Sequence, residues 1–209
     1  MYIKICGITC LDQAQAIAAI GIDALGFICV PQSRRYIPPE RLQLITNQLP
    51  DSVERIGVFV NADYKTILSI TADCQLSGIQ LHGQESISYC VELKQSLSAI
   101  KIIKAVSVRH SSDLAAALSY TPIVDILLLD AYDPNLLGGT GKQIEWSMLK
   151  NFTAPIPWWL AGGLNPENVL TALSLTNPDG IDLSSGVEIS AGNKDITKVQ
   201  RLYNLLKRA

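Results

Sequence analysis

Residues 158–186 read WWLAGGLNPENVLTALSLTNPDGIDLSSG: two short apolar runs, each ending in glycine, with a helical stretch between them. Neither run alternates polar with apolar residues. A strand exposed to water on one face alternates; a near-continuous apolar strand is covered on both faces, as in parallel sheets carrying helices outside. The segment therefore reads as a strand–helix–strand crossover, and the fold depends on how often that unit recurs.

It recurs along the whole chain. Strand candidates are IKICGI (3–8), ALGFICV (24–30), RIGVFV (55–60), GIQLHG (78–83), IKIIKAVSV (100–108), ILLLDAY (126–132), WWLAGGL (158–164) and GIDLSSG (180–186). Between them the clearest helical patterns are LDQAQAIAAI, PERLQLITNQL, YKTILSITA, ESISYCVELKQS and PENVLTALSL. In the last helix, DITKVQRLYNLLK, Ile196, Val199, Leu202 and Leu206 share one face. Thr9 and Asp12 read as a capping box at the first helix, with Asp in place of Glu or Gln. Strand candidates each followed by a helix predict an α/β fold, a (β/α)₈ TIM barrel with short loops, spanning residues 1–209 as one domain. The alternative, a doubly wound open sheet, usually has fewer strands and an early GxGxxG turn, whereas the first turn here is CGIT.

Composition narrows the function classes. Of 209 residues, 48% are hydrophobic and 17% charged, and the formal net charge is −2, which leaves no basic footprint for nucleic acid. Five cysteines, at 6, 10, 29, 74 and 90, show no CxxC spacing, and there are two histidines. This argues against a disulfide framework or a zinc site. Without a signal-peptide pattern or a membrane-length apolar run, a soluble cytoplasmic protein is expected, as a monomer or homodimer.

A barrel of this kind carries its active site at the C-terminal ends of the strands. Two of those ends form anion-cradle candidates: Gly162 and Gly163 after strand seven, and Ser184, Ser185 and Gly186 after strand eight. Loops seven and eight often hold a phosphate, although each could be only a tight turn. A third cluster, LLGGTGK (136–142), lacks the GxxxxGK[ST] spacing of a nucleotide loop; it reads as a substrate-covering loop containing Gly139, or a long turn. Asp130 closes LLLD in apolar company, as an acid or as the cap of the next turn. Cys6 is a buried thiol or a reactive one. His82 faces a ligand or is internally satisfied. Arg34 and Arg35 offer a fork for a carboxylate. Lys4, on the face of Cys6, is expected to pair structurally with Asp182. One acid, one thiol, one arginine and a phosphate cradle suggest proton transfer on a phosphorylated small molecule.

KICGIT, QSRRY, QLHG, LLLD with GGTGK and a downstream EW, LAGGLNPENV, and DLSSGVE with a later KD resemble phosphoribosylanthranilate isomerase of tryptophan biosynthesis. The matches run in order from residue 3 to about 195. Two stretches depart: Ser33-Arg34-Arg35 stands where the family usually has Ser-Pro-Arg, and ISAGNKD follows the last strand. The resemblance implies a (β/α)₈ barrel, no cofactor and no metal, and an Amadori rearrangement with Cys6 as general base, Asp130 as general acid and Arg35 on the anthranilate part. The related histidine-pathway isomerase carries Asp at the position of Cys6, and indole-3-glycerol-phosphate synthase calls for a catalytic lysine. A catalytically silent, metabolite-binding barrel would need neither Cys6 nor Asp130 in one pocket.

Overall fold

The computed structural model describes residues 1–131 and 146–208. Eight parallel strands close into a barrel: β1 (Tyr2–Cys6), β2 (Ala24–Ile28), β3 (Glu54–Phe59), β4 (Gly78–Leu81), β5 (Lys101–Val108), β6 (Ile126–Ala131), β7 (Trp158–Ala161) and β8 (Gly180–Leu183). Closure comes from β8 lying against β1, with Lys4 opposite Asp182, so the open-sheet alternative is excluded.

The helices are α1 (Leu11–Ile20), α2 (Pro39–Thr46), α3 (Tyr64–Asp73), α4 (Ile87–Ser96), α5 (Ser111–Leu118), α6 (Val169–Leu175) and α7 (Ile196–Arg208). Among the described residues, no helix is long and apolar enough to cross a membrane.

The apolar reading of the strands has a direct cause. Alternate residues point in opposite directions, and both directions are dry. Ile5, Phe27, Leu81, Leu129 and Leu160 face outward onto the helices. Ile56, Ile103, Leu128 and Trp159 form a separate cluster inside the barrel. Tyr2 stacks on Trp159 at 4.6 Å in this inner layer. The expected Lys4–Asp182 pair is present at 2.8 Å, both side chains buried. Alternation places Cys6 and Ser184 one inward step further along these two strands, at their C-terminal ends.

Two local expectations are corrected. Helix α1 is capped at Cys10, without a side-chain cap. The Thr9 hydroxyl instead donates to the Gly192 carbonyl at 2.6 Å, a tertiary partner that outcompetes the local turn. Helix α6 starts at Val169, later than PENVLTALSL suggested, because Asn165 Oδ1 accepts from the N–H groups of Glu167 and Asn168 and holds those residues in a turn. The helix expected after β5 but not located in the sequence is α5, and a small antiparallel pair after β8, β9 (Glu188–Ser190) with β10 (Asn193–Lys194), was not anticipated. Gln13 ties this hairpin to α1: its Oε1 accepts from Lys194 N at 3.0 Å, and its Nε2 donates to Asn193 Oδ1 at 2.6 Å.

Candidate active site

Cys6 ends β1 and is 6% exposed. It lies opposite Gly26 in the ladder, where an added Cβ would come within 2.7 Å of Sγ and 3.0 Å of Lys4 Nζ. Burial pushes the Cys6 thiol up from its ordinary value, and Asp182 adds to this; Lys4 and Lys194 oppose it as nearby cations. Burial likewise raises Asp182, against the pull of Lys4, while His82 lowers it and Asp130 raises it. Asp182 thus sits within electrostatic reach of both halves of the site.

Asp130, on β6, lies within hydrogen-bond distance of His82, with 3.1 Å between Oδ2 and Nε2. The other ring nitrogen, Nδ1, lies 2.9 Å from Gln80 Nε2. Of the two readings left open for His82, the structure shows a histidine engaged at both nitrogens, on a ring still 30% exposed.

Arg35 and Arg34 separate cleanly. Arg34 is exposed. Arg35 donates to both oxygens of Glu188, Nε at 2.8 Å and Nη2 at 2.7 Å. Lys194 donates to the same carboxylate at 2.7 Å and lies 3.4 Å from Ser184 Oγ. Burial alone would raise the Glu188 carboxyl, but Arg35 and Lys194 outweigh it and hold the group at about 2. Burial lowers Lys194, against Glu188. A Cβ on Gly7 would meet Arg35 Cδ at 2.6 Å, Ser184 Oγ at 3.1 Å and Lys194 Nζ at 3.4 Å, so these three side chains converge beside Cys6.

The two glycine-rich loops form one surface. Gly162 and Gly163 have φ of 93° and 65°, a region that side chains other than glycine's rarely adopt. Asn168 Nδ2 donates to Gly163 O at 2.9 Å and fixes the turn, and no described residue accepts from the Gly162 or Gly163 N–H. A Cβ on Gly186 would lie 1.9 Å from the Leu164 carbonyl oxygen, which shows how closely loop eight presses on loop seven. Ser185 is exposed on that surface. Gly139 lies outside the described residues.

The sequence reading missed Glu188, Lys194 and Gln80. The first two stood inside quoted motifs, but only the hairpin brings them back over β1. Gln80 had a legible signal: it is two residues before His82 and therefore on the same strand face. Among the described residues, no group of three or more His, Cys, Asp or Glu side chains could hold a metal ion.

Residues 3–204 match the family model described as N-(5'phosphoribosyl)anthranilate (PRA) isomerase. The chain belongs to the phosphoribosylanthranilate isomerase family. A relative from Rippkaea orientalis, named N-(5'-phosphoribosyl)anthranilate isomerase, is 52% identical over 208 residues, covering 100% of this chain and 97% of the relative. The crystal structure of phosphoribosyl anthranilate isomerase from Thermotoga maritima is 39% identical with a TM-score of 0.92, each chain covered completely. A second isomerase structure, in complex with reduced 1-(o-carboxyphenylamino)-1-deoxyribulose 5-phosphate, is 37% identical with a TM-score of 0.86, again over both full chains.

Proposed function

We propose that the chain isomerises N-(5'-phosphoribosyl)anthranilate to 1-(2-carboxyphenylamino)-1-deoxyribulose 5-phosphate in tryptophan biosynthesis, with Cys6 as base and Asp130 as acid. The observation that carries this reading is a buried thiol faced by two buried ammonium groups, in the same barrel mouth as a carboxyl group on His82.

Asp130 gives its proton to the ring oxygen as the C1–O bond breaks, leaving an iminium on the anthranilate nitrogen. Cys6 takes the C2 proton, and that electron pair forms the C1–C2 double bond of an enolamine. Tautomerisation moves the proton from the C2 hydroxyl to C1 and yields the ketone. The Cys6 proton returns to Asp130 through solvent, so atoms, electrons and charge balance without a co-reactant. The base acts as thiolate, which burial opposes and Lys4 and Lys194 favour. Gly162, Gly163, Ser184, Ser185 and Gly186 hold the phosphate through backbone N–H and hydroxyl groups. Arg35, its Nε and Nη2 held by Glu188, turns its remaining Nη1 to the anthranilate carboxylate.

The test generates phosphoribosylanthranilate in situ and follows its fluorescence. Enzyme-dependent loss of the signal is expected. Binding without turnover would overturn the reading in favour of a metabolite-binding barrel.

A further inference from the structure

Gln80 is 1% exposed and stands inside the barrel, opposite Val58 and Ile103 in the ladders of β4. An amide in such company is costly to bury unless its groups are paired. Here one half is paired and the other is not. Nε2 lies 2.9 Å from His82 Nδ1, whereas Oε1 is buried with no hydrogen-bond partner among the described residues.

The tautomer follows from the donors. An amide N–H pointing at Nδ1 makes that nitrogen the acceptor, so the ring hydrogen lies on Nε2, facing Asp130 Oδ2 at 3.1 Å. Turning the amide over would pair Oε1 only with a hydrogen on Nδ1, so the orientation found, with Nε2 on Nδ1, goes with the Nε2–H tautomer. This arrangement is a neutral imidazole donating to a carboxylate. An acid needs one proton more. When the His82–Asp130 pair takes up one proton from solvent, so that Nδ1 also carries hydrogen, Gln80 has to offer an oxygen. A half-turn about its last side-chain bond brings Oε1 to Nδ1, and the pair then shares a proton between Nε2 and Oδ2.

We propose that Gln80 is a positioning residue that acts through His82, keeping Nε2 on Asp130 in both protonation states and so setting how readily Asp130 is reprotonated. Its catalytic part rests on the acid role proposed for Asp130. The charged groups around the pair are Asp182, held by Lys4, on the barrel side, and the Lys104–Glu85 pair behind the loop, where Lys104 donates to Gly83 O at 2.8 Å. None of these touches Nδ1, so replacing Gln80 changes that contact alone.

The chain has two histidines, so His110→Gln, at an exposed position, leaves a single imidazole for nitrogen-15 NMR. In that background the resting ring is expected as the Nε2–H tautomer. Gln80→Leu should mix the tautomers. Gln80→Glu, an acceptor in the same shape, should move hydrogen to Nδ1 and raise the pH at which the ring titrates. In kinetics, Gln80→Leu should lower kcat by about tenfold or more with little change in KM. Gln80→Glu should retain more activity, with its acid limb moved to higher pH. An unaltered tautomer and titration in both folded variants would overturn the contact; altered NMR with unaltered kcat and pH profile would overturn the catalytic part. Wild-type inactivity on phosphoribosylanthranilate would leave the NMR result standing and remove the proposed function instead.

Discussion

The two sides of the barrel mouth are built on opposite plans. Around Cys6 the charges are dense and, Arg35 apart, buried: Lys4 and Asp182 from adjacent strands, then Lys194, Arg35 and Glu188 from the hairpin and the β2–α2 loop. With the thiol protonated, three cations face two carboxylates, and a thiolate brings the count to balance. Around Asp130 the nearest polar groups are His82 and, behind it, the amide of Gln80, and both His82 and Asp130 are more than a quarter exposed. The thiol proposed to lose its proton is faced by two buried ammonium groups. The carboxyl group proposed to hold one has the His82 ring beside it and access to water. Burial and Asp182 favour the protonated thiol while the two ammonium groups favour the thiolate, so the cysteine side is a balance of opposed charges, whereas the Asp130 side is a hydrogen-bonded pair open to water.

If that contrast is right, Cys6→Ser and Asp130→Asn should have the largest effects, each lowering kcat by about 10²–10⁴-fold while the far-ultraviolet circular dichroism is unchanged. A near-normal rate for either would remove it from the chemistry. Next come the buried charges. Lys4→Met leaves Asp182 alone inside the barrel and should cost about 3–5 kcal/mol in urea unfolding, much of it recovered in Lys4→Met with Asp182→Leu; equal stabilities would mean that the pair is solvated. The pH dependence is a subtler probe. Because burial raises the thiol, kcat/KM should climb with pH from neutrality into the alkaline range, and Lys194→Met should push that climb higher. A flat alkaline profile would break the comparison on the cysteine side. Glu188 works in the other direction: its carboxyl is held at about 2 against an ordinary 4.5, so its stabilisation is complete above 4.5 and is lost as pH falls towards 2. Glu188→Gln should flatten acid unfolding in that window. The smallest effect is at the loop arginines, where Arg35→Ala should raise KM and Arg34→Ala should leave it within about twofold.

The barrel was legible because its signal is repeated and local: each apolar run marks a strand dry on both faces. The strand-end groups were legible for the same reason, since Cys6, His82 and Asp130 each interrupt or close such a run. What escaped depends on partners far along the chain. Thr9 has the sequence of a cap, yet its hydroxyl is taken by Gly192, 183 positions on. Glu188 and Lys194 look like solvated hairpin charges until β9 and β10 fold back over β1. The start of α6 was misplaced by one asparagine side chain, which competes with the helix for the same N–H groups.

The bridge from Lys4 to Asp182 spans 178 residues, and the hairpin beyond it carries the last charges to reach the thiol. Synthesis runs in one direction, so Cys6 leaves the ribosome long before Lys194 does. Until Lys194 has been made, the thiol lacks one of the two cations that oppose its burial. The surroundings of the thiol are therefore complete only once Lys4, Asp182, Glu188 and Lys194 are all in place, and a chain cut before Lys194 lacks part of them.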